Sequence, residues 1–166
     1  YQAYGERPYR VVEACLAAGS AYLDLADGAA FVEGIDGFDA AARDRGIFVL
    51  SGVSSFPLLT AAVVRRLSEG MDRVEAVVAG IAPSPYAGIG LNVIRAIASY
   101  AGQPIEVRRD GRETTAHAFT ETMRATVAPP GAVPVSHTLF ALVDVPDNRV
   151  IAQRWPEIGS VWIGVG

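Results

Sequence analysis

Two short stretches of this chain gather acids, glycines and hydroxyls directly after apolar runs. They are Asp24 to Gly28, and Ser51-Gly52-Val53-Ser54-Ser55. If the preceding runs are parallel strands, both loops stand at C-terminal strand ends, where open α/β sheets bind ligands. Asp24 or Asp27 would then lie near a ribose or a substrate amine, and the Gly52–Ser55 backbone would approach a cofactor closely. Spacing alone favours a plainer role, with Asp27 and Ser54 or Ser55 as helix caps. Gly52-Val53-Ser54-Ser55-Phe56 also imitates the nucleophile elbow of a serine hydrolase. That motif needs glycine where Phe56 stands, because its turn is sterically strained. Its base would have to be His117 or His137, and each is better read as a structural histidine. Gly88-Ile89-Gly90 imitates the opening of a dinucleotide fingerprint, but the third glycine would fall at Val93. Two prolines also separate it from the preceding strand, so it reads as the start of a helix.

Composition narrows the chemistry further. The 166 residues hold 14 basic side chains, all arginine, which excludes a phosphate-loop, Schiff-base or general-base lysine within this chain. Cys15 has no partner for an internal disulfide, and its place on an apolar helix face suits inert packing. With 2 histidines and 1 cysteine there is no recognisable metal-ligand spacing. Net charge is −4, carried by residues 1–56 with eight acids against four arginines; residues 57–166 hold ten of each. Neither part has the basic stripe that nucleic acid requires. Hydrophobic residues at 51% and charged residues at 19% argue against disorder. No apolar run approaches the ~20 residues of a membrane span, and Tyr1 to Glu6 is neither a signal nor a transit peptide. A soluble cytoplasmic protein, with neither nucleic-acid nor membrane partners, is the expectation.

The elements that must position these loops alternate in the first half. Val11, Val12, Cys15 and Leu16 recur at helical spacing, with Gly19 placed to end the helix. Tyr22 to Ala26 reads as a strand. Phe31, Ile35, Phe38 and Ala42 then make one apolar stripe along a helix that Gly46 stops. Ile47 to Leu50 suits a strand buried on both faces of a parallel sheet. The helix after Pro57 is expected to bury Leu58, Leu59, Ala62, Val63 and Leu67, with Arg65 and Arg66 outward. Beyond Gly70 the texture changes. Val74–Ile81 reads as a strand, and Leu91–Tyr100 as a helix with Val93, Ile94, Ile97 and Ala101 inward. Asp110-Gly111 joins Ile105–Arg109 to Arg112–Phe119 in a hairpin, and the Arg108-Arg109 pair reads as a solvated face. A proline-rich loop over 128–134, a strand over Leu139–Val145, a short helix over Asn148–Gln153 and a strand over Val161–Val165 follow. Trp155 and Trp162 could serve a core or an interface.

The fold class expected is α/β, as the C-terminal part of a Rossmann-like parallel sheet (residues 1–56). It is followed by an α+β domain with antiparallel strands (residues 57–166). The chain opens on the approach to a helix and closes on a strand, as an excerpt of a larger protein would. Two parallel strands make no viable doubly wound sheet alone.

In residues 1–56, Tyr1-Gln2-Ala3-Tyr4-Gly5 precedes the helix Val11-Val12-Glu13-Ala14-Cys15-Leu16-Ala17-Ala18-Gly19. Then come Tyr22-Leu23-Asp24-Leu25, the helix ending Ala40 to Gly46, and Val49-Leu50-Ser51-Gly52. In order and spacing these resemble the closing third of the NADP-binding domain in the saccharopine dehydrogenase-like family. Leu142 to Asp147, followed by Trp155-Pro156, is similar to that family's second domain.

The resemblance implies an NAD- or NADP-dependent oxidoreductase in the full-length protein, acting as a homodimer on a small-molecule substrate. The hydride would move at a C–N bond of an amino-acid- or polyamine-derived compound. Gln2, Tyr4 and Gly5 would flank the nicotinamide, Asp24 would lie near the ribose or substrate, and Gly52, Ser54 and Ser55 would line the domain junction. Hydride transfer asks the protein mainly for orientation and charge placement, so a catalytic lysine is not obligatory. The pyrophosphate loop lies outside this sequence, so this segment alone is expected to be inactive. Saccharopine reductases tend to read Gly-x-Asp-Pro-Gly where this chain has Gly52-Val53-Ser54-Ser55-Phe56, which argues against saccharopine itself as substrate. A non-catalytic dimerisation or ligand-binding module is the alternative reading, and a serine hydrolase the outsider.

Overall fold

The Val12–Leu16 spacing with glycine at 19 produces the helix it predicts. In the computed structural model, which describes residues 7–84, 86, 88 and 90–166, α1 spans Arg10–Ala18. Gly19 ends it at φ +66°, a left-handed conformation in which glycine meets no Cβ penalty. Strands β1 (Tyr22–Leu23) and β2 (Val49–Leu50) pair in parallel, Tyr22 opposite Val49 and Leu23 opposite Leu50.

Between them the single helix expected from the Phe31–Ala42 stripe is broken into three pieces. These are α2 (Ala29–Glu33), a 3₁₀ turn (Gly34–Phe38) and α3 (Asp39–Asp44). The cause is Tyr9, whose ring stacks on Phe31 at 4.9 Å and tilts against Phe38 at 5.3 Å. Its hydroxyl donates to the Phe31 carbonyl at 3.0 Å, and a Cβ at Gly34 would stand 1.9 Å from that oxygen. The stripe still reaches the core. Val12, Leu16 and Ala42 are buried, with Tyr22, Ile35, Phe38, Ile47 and Val49 packed against them.

That cluster takes up Tyr22, Ile47 and Val49 of the β1–β2 region. Strand alternation sends Leu23, Phe48 and Leu50 to the opposite face, and all three are exposed. The Ile47–Leu50 run is therefore not buried on both faces, since the described residues of this unit pack a single helical layer against it. The next helix also departs from expectation. Ser55–Leu59 is a π-helical turn with Phe56 extended, and α4 proper runs Thr60–Ser68. Leu59 N–H reaches back to Ser54 C=O, five residues away rather than four. One extra residue rotates the inward stripe by about 100°. Thr60 and Val64 are thus buried, while Leu58, Leu59, Val63 and Leu67 are exposed.

Contacts divide the chain into two units, Tyr1–Gly70 with Val145–Val150, and Met71–Asp144 with Ile151–Gly166. The division falls inside helix α6 (Asp147–Arg154). The second unit contains a four-stranded mixed sheet in the order β3-β8-β7-β6. Its strands are β3 (Ala76–Ile81), β6 (Thr122–Val127), β7 (Val135–Leu142) and β8 (Ser160–Val165). β3 and β8 are parallel, and the other pairs are antiparallel. β6 has no counterpart in the sequence expectations. The fold is mixed α/β.

The hairpin β4 (Pro104–Arg109) and β5 (Arg112–His117) forms as expected. Asp110 and Gly111 both take positive φ, 48° and 77°, as a type I′ turn requires. Ile105, Val107, Ala116, Ala118 and Leu142 form its core, with Tyr100, Phe119 and Trp162 packed against them. Trp162 is thereby a core residue. Helix α5 (Leu91–Tyr100) matches its expected span, yet Val93, Ile94 and Ala101 are exposed, and it meets this core through Tyr100.

Arg108 is not a solvated residue. Its Nε donates to Ile158 C=O and its Nη2 to Pro156 C=O, both at 2.9 Å, and its side chain is 19% exposed. It sews the hairpin to the segment that feeds β8. Arg109 instead pairs with Glu121 in a more open setting. Arg108→Ala should therefore cost about 2–3 kcal/mol by leaving two carbonyls without their charged donor. Arg109→Ala should cost under about 1 kcal/mol. Urea unfolding followed by tryptophan fluorescence compares the two.

Candidate functional site

The two loops singled out by the sequence are brought together by one carboxylate. Asp24 follows β1 directly, and its N–H extends the parallel ladder to Leu50 C=O at 3.1 Å. Its own carbonyl accepts from Val53 N–H at 2.9 Å. The side chain points inward, 8% exposed, and four donors converge on it. Tyr22 OH donates to Oδ2 at 2.7 Å, Ala26 N–H to Oδ1 at 2.9 Å and Gly52 N–H to Oδ1 at 3.0 Å. The Ser51 hydroxyl lies 2.8 and 2.9 Å from the two oxygens. Asp24 thus binds its own loop and the loop after β2 into one structure at the C-terminal ends of adjacent parallel strands.

The electrostatics follow from that donor set. Burial alone would push the Asp24 carboxyl up, but hydrogen bonds from Tyr22, Ala26, Gly52 and Ser51 outweigh it and hold the group below its ordinary value. Burial and the adjacent carboxylate push the Tyr22 hydroxyl up, so it stays a donor.

The other expected residues fall around this clamp. Gly52 takes φ +72°, and a Cβ there would stand 2.6 Å from Pro57 Cδ and 3.4 Å from Val32 Cγ1. Its close approach is thus to the chain's own proline. Ser54 has an ordinary extended backbone, φ −141°, and its Oγ donates to Phe56 C=O at 3.0 Å. That is not the strained elbow of a hydrolase. Ser55 is exposed, and its carbonyl accepts from Thr60 Oγ1 at 3.1 Å. Asp27 is exposed, and Gly28, not Asp27, occupies the cap position of α2. Neither α2 nor the turn at Ser55 has a side-chain cap hydrogen bond, so the capping roles expected for Asp27, Ser54 and Ser55 are not filled. Gln2, Tyr4 and Gly5 lie outside the described residues. His117 and His137 are exposed strand residues of the second unit. Gly90 stands at the start of α5, as expected for a helix start.

Sequence reasoning missed Tyr22, Ser51 and Thr60 as participants, and it missed Asp147. Tyr22 and Ser51 carry a signal in retrospect. Residues two apart on a strand share a face, so Tyr22 and Asp24 were bound to be neighbours. Asp147 follows Pro146 at the start of α6. It is fully buried, and neither carboxylate oxygen accepts a hydrogen bond. Burial raises its pKa to about 6, against a smaller lowering from Thr60 nearby and its own N–H.

Among the described residues, no group of histidine, cysteine, aspartate and glutamate could hold a metal ion. No helix among them is long and apolar enough to cross a membrane. No family model matches the chain, and no curated protein matches it.

Asp24→Asn presents an amide NH₂ to donors that need an acceptor. It should cost on the order of 3 kcal/mol at neutral pH. The Asp24 pKa is depressed in the fold, so its stabilisation is present above the unfolded carboxylate range and lost as pH falls through the folded value. The stability gap between wild type and Asp24→Asn should therefore narrow in acid, as urea titrations from pH 7 downward would record.

Proposed function

We propose that this chain is part of an NAD- or NADP-dependent oxidoreductase of the saccharopine dehydrogenase-like kind. It moves a hydride at a C–N bond of an amino-acid- or polyamine-derived substrate. In this reading β1 and β2 are the last strands of a Rossmann-like sheet that ends near residue 56. Residues 57–166 begin the α+β domain that carries substrate and dimer contacts. The observation that carries the reading is the Asp24 clamp. A dinucleotide site at the C-terminal ends of parallel strands needs adjacent loops held rigid before the ligand arrives, since ordering them on binding would consume affinity. Four donors on one buried carboxylate provide that rigidity. Asp24 is then a positioning residue that acts through Ser51 and Gly52. The exposed Ser55 and Asp27 are the groups of these loops left to meet a ligand.

The test is a fluorescence titration of the full-length protein with NADPH and with NADH. Saturable binding of one, weakened about tenfold by Asp24→Asn, is the expected outcome. No saturable binding of either nucleotide overturns the proposal.

A further inference from the structure

The four-stranded sheet of the second unit has two edges, and the sequence treats them differently. β6 carries devices that keep an edge from pairing. Its register against β7 is irregular between Ala125 and Val127, and the guanidinium of Arg124 reaches the His137 carbonyl at 3.2 Å. Pro129 and Pro130 follow the strand. β3 carries none of these. Ala76-Val77-Val78-Ala79-Gly80-Ile81 has no charge and no proline, and it pairs with β8 in unbroken register from Ala76–Ser160 to Ile81–Val165. A regular, uncharged edge of this kind is a template for another strand.

The ladder identifies the open groups. The Glu75 carbonyl accepts from Gly159 and Ser160 N–H, and the Ile81 carbonyl accepts from Gly166 N–H, so these two residues face β8. Alternate residues of a strand present their backbone polar groups to opposite sides. Val77 and Ala79 therefore also face β8, while Ala76, Val78 and Gly80 turn N–H and C=O to the free edge. All three are exposed, and among the described residues β3 has no strand neighbour but β8.

We propose that β3 pairs antiparallel with β3 of a second copy of this chain, about a two-fold axis at Val78, joining the two sheets edge to edge. The outward residues are symmetric about Val78, as a two-fold requires of a self-complementary strand. Val78 meets the partner's Val78, and Ala76 meets the partner's Gly80, each as a pair that exchanges N–H···O=C bonds. The two valines, each 57% exposed in the single chain, make the central cross-strand contact. Charge selects the direction. Arg73 and Glu75, which pair with each other at 3.0 Å, lie before the strand, and Ala82-Pro83-Ser84 after it is uncharged. Antiparallel pairing sets each charged end against an uncharged one, whereas parallel pairing would bring Arg73 and Glu75 against the same charges of the partner. The pairing gives a place to the dimer contacts that the oxidoreductase reading assigns to residues 57–166, and it rests on that reading only for the expectation of two copies.

A six-residue strand pair lies at the small end of specific interfaces, so the dimer should be reversible. Sedimentation velocity of the full-length protein, from about 1 to about 100 μM, should show monomer passing to dimer. Val78→Lys and Val78→Glu should each weaken the dimer at least about tenfold, because like charges then meet on the axis. An equimolar mixture of the two variants should restore it, as an axis at Val78 requires. Thr122→Lys, exposed on β6, should leave it unchanged. Should the Val78 variants fail to fold, amide exchange of the wild type reads the edge: Val78 and Gly80 N–H should be about tenfold better protected at the highest concentration than at the lowest. A monomer throughout, a dimer untouched by the charged variants, a mixture that stays monomeric, loss of the dimer in Thr122→Lys, or exchange at Val78 that ignores concentration overturns the proposal. Each of these leaves the nucleotide reading to its own titration.

Discussion

Two strands of two residues each contribute too few ladder bonds to hold the loops that leave them, so the first unit depends on the Asp24 carboxylate. A charged acceptor in a site of low dielectric makes each N–H or O–H bond stronger than its neutral counterpart. Asp24 concentrates four such bonds on two oxygens, and their sources lie both on its own loop and 27 or 28 residues away. The effect is that of an additional strand pairing made with a side chain. Beyond the last ladder residues the pairing slips by one residue: Gly52 N–H turns to the Asp24 side chain, and Val53 N–H takes Asp24 C=O in its place.

The same unit contains the opposite solution to burying a carboxyl. Asp24 is surrounded by donors and stays charged, while Asp147 lacks them and is pushed towards its neutral form. Solvent exclusion is common to both, so it does not distinguish them. The sign is set by whether the surrounding groups have protons to give. Around Asp24 they are peptide N–H groups and free hydroxyls. At Asp147 neither oxygen has a donor, and burial alone sets the direction.

How much of this was legible follows from how far each cause lies from its effect in sequence. α1, the β4–β5 hairpin and the limits of α5 depend on neighbours within a few residues, through Gly19, Asp110-Gly111 and an apolar repeat. They were read correctly. The break in the Phe31–Ala42 stripe was not, because its cause is Tyr9, some 22 residues upstream. The face of α4 was misassigned for a different reason. Periodicity reports which side is apolar, and a π turn at Ser55–Leu59 changes which side faces in. β6 escapes the sequence reading because its half-buried residues, Met123, Ala125 and Val127, include only one β-branched side chain among polar neighbours. Arg108 reads as a surface residue in sequence because its acceptors are the carbonyls of Pro156 and Ile158, far along the chain. Asp24 stands out in the sequence as a candidate ligand contact, and in the structure its oxygens are held by Tyr22, Ala26, Ser51 and Gly52.

Gly52 shows why residue type alone could not settle the site. A glycine between a strand and a helix suits the close approach of a cofactor, and the same glycine suits a tight internal fit. Here the space a side chain would fill is taken by Pro57, with Val32 behind it. The positive φ lets the Gly52 N–H turn to Asp24 while the chain reverses towards Ser54. The glycine therefore serves the clamp, and Ser55 and Asp27 are the polar residues of these two loops that stay exposed.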